Sequence, residues 1–191
     1  MPFILKHCIF ILMTESADFL NSQAIELASQ GCYTEAIACF VRAISLSREN
    51  YLLWYNLGIT YRDSGKLEEA ADALFQAYKL NCSDAEVYES LSHVYYLSGD
   101  FESALMVNLE GLDFFPENAR LWNNLGIIYF NTSEFASAAE AFERALTIYP
   151  YYHDALYNLR DTYIELNNLS GAEECNIRMK NLSDKNGAFY A

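Results

Sequence analysis

A chain of 191 residues that is 52% hydrophobic, with only three prolines, can close a sizeable core and is not a disordered linker. Its 26 acidic residues against 12 basic ones leave a formal charge of −14, which argues against nucleic acid and anionic membrane surfaces, since both demand clusters of Lys and Arg. A basic segment is the charged partner that such a field would favour.

The first stretch, MPFILKHCIFILM, is apolar but interrupted by Lys6 and His7. It falls well short of the roughly 20 apolar residues that span a bilayer. It is also a poor signal peptide, because the run Cys8 to Met13 is short and no small-x-small site follows. Two readings stay open for residues 1–16. Either Met13 is the true start, with Thr14, Glu15 and Ser16 leading into the first regular element, or residues 1–13 form an apolar arm that lies on the molecule or on a membrane.

From Ala17 onward one pattern returns every 34 residues. Trp54, Leu57, Gly58 and Tyr61 recur as Trp122, Leu125, Gly126 and Tyr129, with Tyr88, Leu91, Ser92 and Tyr95 between them. Further copies stand at Leu20, Ala24 and Leu27 and at Leu156, Leu159 and Tyr163. The periods are 17–50, 51–84, 85–118, 119–152 and 153–186, with 187–191 as a tail. Each predicts two amphipathic helices. Ser16, Asn50, Asp84 and Asn118 stand as N-caps of the first helix, where a short polar side chain accepts an orphan backbone N–H; Tyr152 breaks that rule. Between the helices lie Gly31, Gly65 and Gly99, at turns expected to need positive φ, with Ser133 and Asn167 in the last two copies. Ala24, Gly58, Ser92 and Gly126 are the small residues that let the two helices of a pair approach, and the Trp and Leu places mark the buried side.

The last copy departs from the pattern. Arg160 replaces the small residue, Asn176 replaces a large one, and no proline closes it, so its second helix, expected over Gly171 to Leu182, reads as a polar capping element. In the third copy Asn108 and Gly111 should weaken the second helix, as local softness or as a hinge.

The clearest copy, WNNLGIIYFNTSEFASAAEAFERALTIYP from Trp122 to Pro150, carries a large ring, Leu, Gly and Tyr, then Ala138, Phe142, Ala145 and a closing Pro. This order resembles the tetratricopeptide repeat (TPR) family, with no insertion or deletion from Ala17 to Asn186. The resemblance implies an all-α fold, a right-handed α-solenoid of five tandem helix-turn-helix repeats. It also implies a concave groove, lined by the first helices, that binds a peptide or partner segment.

On a helical wheel that face should present Ser22 and Ile25, then Leu52, Asn56 and Ile59, then Ser90, His93 and Leu97. It continues through Asn124, Ile127 and Asn131 to Asn158. Asn56, Asn124 and Asn158 share one place in the period, with Ser22 and Ser90 in the other two copies. Amides offer both donor and acceptor, and such a row can hold an extended backbone of any sequence. It is similar to the asparagine ladder of some peptide-binding TPR arrays. Ile25, Ile59 and Ile127, flanked by Leu52 and Leu97, put aliphatic groups where water is expected, a mark of a contact surface. The occupant could be another protein, a second copy of the chain, or the stretch Phe3 to Met13 folded back. The Lys and Arg pair of chaperone-binding TPR domains is missing: Glu86, Glu89, His93 and Asp154 hold those places, so chaperone-tail binding is disfavoured. From Asn81 to Ala119 there is no Lys or Arg but eight acidic residues, a zone that would attract a basic partner or serve as a solvated surface.

No nucleophile, metal or phosphate-loop motif occurs, and the five cysteines fall at no metal spacing and read as buried thiols of a reducing compartment. His93 is the one histidine on the groove face. The run Tyr149 to His153 either packs its rings between repeats or stacks on a ligand. The sequence therefore points to a non-enzymatic, cytoplasmic interaction module with no cofactor and no metal, one that could also self-associate. A small acidic secretion-type chaperone, and a membrane-associated assembly factor tethered by residues 1–13, are the alternatives.

Overall fold

The computed structural model describes residues 16–187. Both readings of residues 1–13, and the tail after 187, lie outside them. The described residues form ten α-helices in five consecutive hairpins, the all-α architecture expected from the period. They are α1 (Ala17–Ser29), α2 (Tyr33–Leu46), α3 (Tyr51–Asp63), α4 (Leu67–Leu80), α5 (Ala85–Leu97), α6 (Phe101–Phe114), α7 (Ala119–Asn131), α8 (Phe135–Ile148), α9 (His153–Glu165) and α10 (Leu169–Gly187). Among the described residues no helix is long and apolar enough to cross a membrane.

The helix starts follow the capping residues. Ser16 Oγ accepts from Phe19 N at 3.1 Å, Asn50 Oδ1 from Leu52 N at 3.1 Å and Asp84 Oδ1 from Glu86 N at 3.0 Å. Asn118 Oδ1 takes both Arg120 N and Leu121 N, at 2.9 and 3.0 Å. Tyr152 supplies no such bond, and α9 has Asp154 in its first turn, a negative charge at the positive end of the helix dipole. The turns within the hairpins all use left-handed backbone: Gly31, Gly65 and Gly99 at φ 77°, 79° and 81°, then Ser133 at 64° and Asn167 at 57°. The last two copies therefore keep the conformation and lose the residue that adopts it cheaply.

The chain divides into two compact units, one ending at Val94 and the other starting at Tyr95. In the first, Leu20 and Ala24 of α1, Phe40, Ala43 and Ile44 of α2, and Leu53 and Leu57 of α3 form one buried cluster. Gly58 of α3 lies so close to α4 that a Cβ there would sit 2.6 Å from Leu74 Cγ. In the second, Ala138, Phe142, Ala145 and Leu146 of α8 pack with Leu156 and Leu159 of α9 and Cys175 of α10. Here Gly126 of α7 faces the Phe142 ring, whose Cε1 would be 2.5 Å from an added Cβ.

Three expectations change. Trp54 and Trp122 are only half-buried, because each indole N–H needs a polar partner: Nε1 donates to Arg48 O and to Pro116 O respectively, both at 2.8 Å, and so pins the loop before its own helix. Helix α10 begins before Gly171 and runs past Leu182, since neither proline nor glycine interrupts the chain from Ser183 to Asn186. Asn108 and Gly111 are buried in an unbroken α6. As for the capping repeat, Asn176 is exposed, its Nδ2 donating to Glu173 Oε2 at 3.3 Å.

Gly126→Leu should lose roughly 1–3 kcal/mol in urea unfolding, because the Phe142 ring must move to admit it. Ser133→Gly should gain about 1 kcal/mol by removing the cost of a left-handed serine, and Asn167→Gly less, since asparagine tolerates that backbone. A Gly126→Leu protein as stable as wild type would refute the close helix approach.

Candidate binding surface

In the first unit the open side of the first helices carries Ile25 and Leu52 at 47% and 46% exposure, with Ile59 and His93 half-buried. Ser22 is exposed, and its Oγ donates back to Asp18 O at 3.0 Å. Asn56 is half-buried, and its Nδ2 donates to Asn21 Oδ1 at 3.0 Å. Ser90, expected at the surface, is buried, and its Oγ donates to Tyr55 Oη at 3.3 Å.

The second unit repeats this geometry. Asn158 is half-buried, with Nδ2 donating to Asn123 Oδ1 at 3.1 Å. Exposed Asn131 donates from Nδ2 to Tyr96 Oη at 3.0 Å and to Ile127 O at 2.9 Å. Asn124 is half-buried and Leu97 is 43% exposed. All four of these links between first helices join residues 35 apart, one place earlier in the previous period. Asn56 and Asn158 of the ladder thus tie a first helix to the one before it. An amide has two N–H donors and an acceptor oxygen, so one such bond takes up part of its capacity. The sequence carried a signal for this that the wheel did not use: residues 21, 55, 96 and 123 are Asn, Tyr, Tyr and Asn, polar in each case.

Three of the expected groove residues meet in one place. Ile127, Asn131 and Asn158 line a pocket of about 270 Å³ with Tyr96, Phe130, Phe142 and Asp161. Its lining combines aromatic and aliphatic side chains with two amides and a carboxylate. Asp161 Oδ1 accepts from Arg160 Nε and the guanidinium Nη2 at 2.8 and 2.6 Å, and that guanidinium lies 4.1 Å over the Tyr157 ring. Tyr96, Phe130 and Asp161 were not among the residues chosen from sequence.

Elsewhere the chemistry is quiet. The Cys175 thiol is pushed up mainly by burial, which keeps it protonated and unreactive. It shares a pocket of about 240 Å³ with Glu143 and Tyr163, whose Oη donates to Glu143 Oε1 at 2.5 Å. In the first unit a pocket of about 490 Å³ lies on the other side of α3, among Val41, Arg48, Trp54, Tyr61 and Asp72. Of the acidic run, Asp84 caps α5 and accepts from Tyr51 Oη at 3.0 Å, Asp100 caps α6 through Ser103 N at 3.1 Å, and Glu117 pairs with Arg144 at 2.7 Å. These three carboxylates have partners within the chain. In the run Tyr149 to His153, the rings of Tyr149 and Tyr152 stand 5.8 Å apart, and Tyr152 packs against the second unit's core.

The Tetratricopeptide repeat family models match residues 119–152 in one case and residues 21–86 and 55–110 in another. The chain belongs to the tetratricopeptide repeat family. Solved structures of similar fold include MamA, 20% identical with a TM-score of 0.77 over 86% of this chain and 96% of that one. PilF of Pseudomonas aeruginosa is 17% identical with a TM-score of 0.77 over 86% of this chain and 75% of that one. YrrB, described as a TPR protein with an unusual peptide-binding site, is 20% identical with a TM-score of 0.67 over 87% and 86%. No curated protein matches in sequence. At such identities the likeness establishes the tetratricopeptide fold and leaves the ligand to the side chains.

In this tetratricopeptide array His93 has its pKa lowered, first by burial and then by the nearby Arg62. The unfolded chain takes up a proton near pH 6.5, the folded one only at lower pH, so the His93 contribution to stability is complete above pH 6.5 and declines as pH falls through that value. Between pH 7.5 and 5.5 the wild type should lose more stability than His93→Gln in parallel urea titrations. Equal losses would show that the imidazole titrates alike in both states.

Proposed function

We propose that this tetratricopeptide repeat protein is a non-enzymatic interaction module that holds an extended peptide or partner segment against its first helices. Ser22, Ile25, Leu52, Asn56, Ile59 and His93 form the ligand face of the first unit. Leu97, Asn124, Ile127, Asn131 and Asn158 form that of the second. The observation that supports this most is the pocket around Ile127, whose lining joins the apolar side chains of Phe130, Phe142 and Ile127 to the amides of Asn131 and Asn158. Such a combination suits one buried apolar side chain of a ligand with its backbone polar groups bonded to the amides.

The amide links between first helices favour this reading for a second reason. They fix the amides before a ligand arrives, so less side-chain freedom is lost on binding. Ser90, being buried, serves by positioning Tyr55 rather than by touching a ligand. With a formal charge of −14, a partner carrying Lys or Arg is favoured over an acidic one, and its association should slow as salt rises.

Panning a displayed library of extended peptides against the full chain tests this reading. Selected peptides should carry a large apolar residue, and Ile127→Glu combined with Asn158→Ala should weaken their binding about tenfold or more, the 1.4 kcal/mol scale of one lost pocket contact. Binding undiminished in a variant whose far-ultraviolet dichroism is intact would place the ligand on another face.

A further inference from the structure

The pocket of about 490 Å³ beside Trp54 and the pocket of about 240 Å³ around Cys175 occupy the same place in the period, three copies apart. Leu57, Tyr61, Asp72 and Gln76 line the first; Leu159, Tyr163, Glu174 and Arg178, each three periods later, line the second. Side chains of α2, α3 and α4 build one, and those of α8, α9 and α10 build the other.

The two differ in where a cation comes from. In the second unit the chain supplies its own: Arg178 joins a lining that also holds Tyr163, Glu143 and Glu174, and its Nη2 donates to Pro150 O at 3.2 Å. In the first unit the neutral Gln76 stands where Arg178 stands, and the space is about twice as large. Trp54 joins Tyr61 there, and Glu69 and Asp72, both exposed, bring two carboxylates against the single cation Arg48. One negative charge is left over in the lining. The Trp54 ring is set in advance, because its N–H donates to Arg48 O at 2.8 Å. The Tyr61 ring already draws a cation of the chain, with Lys66 Nζ 5.9 Å from its centroid, the outer limit of such an attraction.

We propose that this pocket takes an arginine side chain of a partner protein, as a second contact surface independent of the face that carries Asn56 and Ile59. A planar guanidinium stacks on aromatic rings and donates a fork of N–H groups to carboxylates, so Trp54 and Tyr61 take its face and Glu69 and Asp72 its edge. Val41, 51% exposed, lies against the aliphatic stem. The site reproduces with a partner's arginine what Arg178 does within the second unit.

Nuclear magnetic resonance of the full chain tests this, because the two indole N–H signals, from Trp54 and Trp122, report on different units. A blocked Gly-Arg-Gly peptide at millimolar concentration should shift the Trp54 signal to saturation and leave Trp122 in place. The same peptide with citrulline, which keeps the shape and loses the charge, should bind about tenfold more weakly or less, as should the arginine peptide with Glu69→Gln combined with Asp72→Asn. Gln76→Arg, which copies the second unit, should abolish the shift by filling the place. A Trp54 signal that the arginine peptide does not move, or that citrulline moves equally, would overturn the proposal. Equal shifts of Trp54 and Trp122 would overturn it in favour of diffuse attraction to an acidic surface. Shifts confined to the Ile59 and Ile127 methyl groups would overturn it while leaving the first-helix ligand face intact.

Discussion

A helix of 13 or 14 residues is marginal in water, and the first nine helices here are of that length. Each must therefore bury its apolar stripe against a neighbour, which calls for a very close approach at one point in each hairpin. Gly58 against Leu74, and Gly126 against Phe142, are two such points, where the missing Cβ makes room for a large side chain of the opposing helix. Because the approach is so close, the rest of the period is constrained around it. The apolar residues of the second helix, Phe40 and Ile44 or Phe142 and Leu146, reach across to the next first helix, and the cores stay continuous within each unit.

The same constraint shapes the surface proposed for a ligand. Once the second helices cover one side of each first helix, the opposite side holds polar residues that must be satisfied without another layer of protein. They are satisfied by one another, in hydrogen bonds between residues 35 apart such as Asn56 to Asn21 and Asn158 to Asn123. A row of amides is thus both a strap between successive repeats and a rigid set of polar groups. Around Ile127 that set borders an aromatic pocket, where affinity and orientation can come from adjacent side chains.

Much of this could be read from the residues. The period of 34 gave the hairpins, the capping residues located four of the first-helix starts, and the recurrence of glycine marked three left-handed turns. Ser133 and Asn167 then share that backbone despite being neither glycine nor neighbours in sequence, because the fold imposes the turn. The misreadings have a common source. A wheel drawn for one helix at a time has no access to the residue one period away, so it placed Trp122 inside and Ser90 outside. Whether an indole N–H reaches Pro116 O, or a serine lies under Tyr55, is decided by the neighbouring repeat or loop. Tyr96 and Phe130 escaped notice in the same way, since each takes its role from the neighbouring hairpin.

The most direct measurement is a crystal structure of the full chain with a peptide selected for binding to it. The expected result is a peptide running across α7 and α9 with an apolar side chain between Ile127 and Phe130 and its backbone bonded to Asn131 or Asn158. A peptide lying instead on α8 and α10, with the Ile127 pocket empty, would contradict the assignment of the ligand face to the first helices.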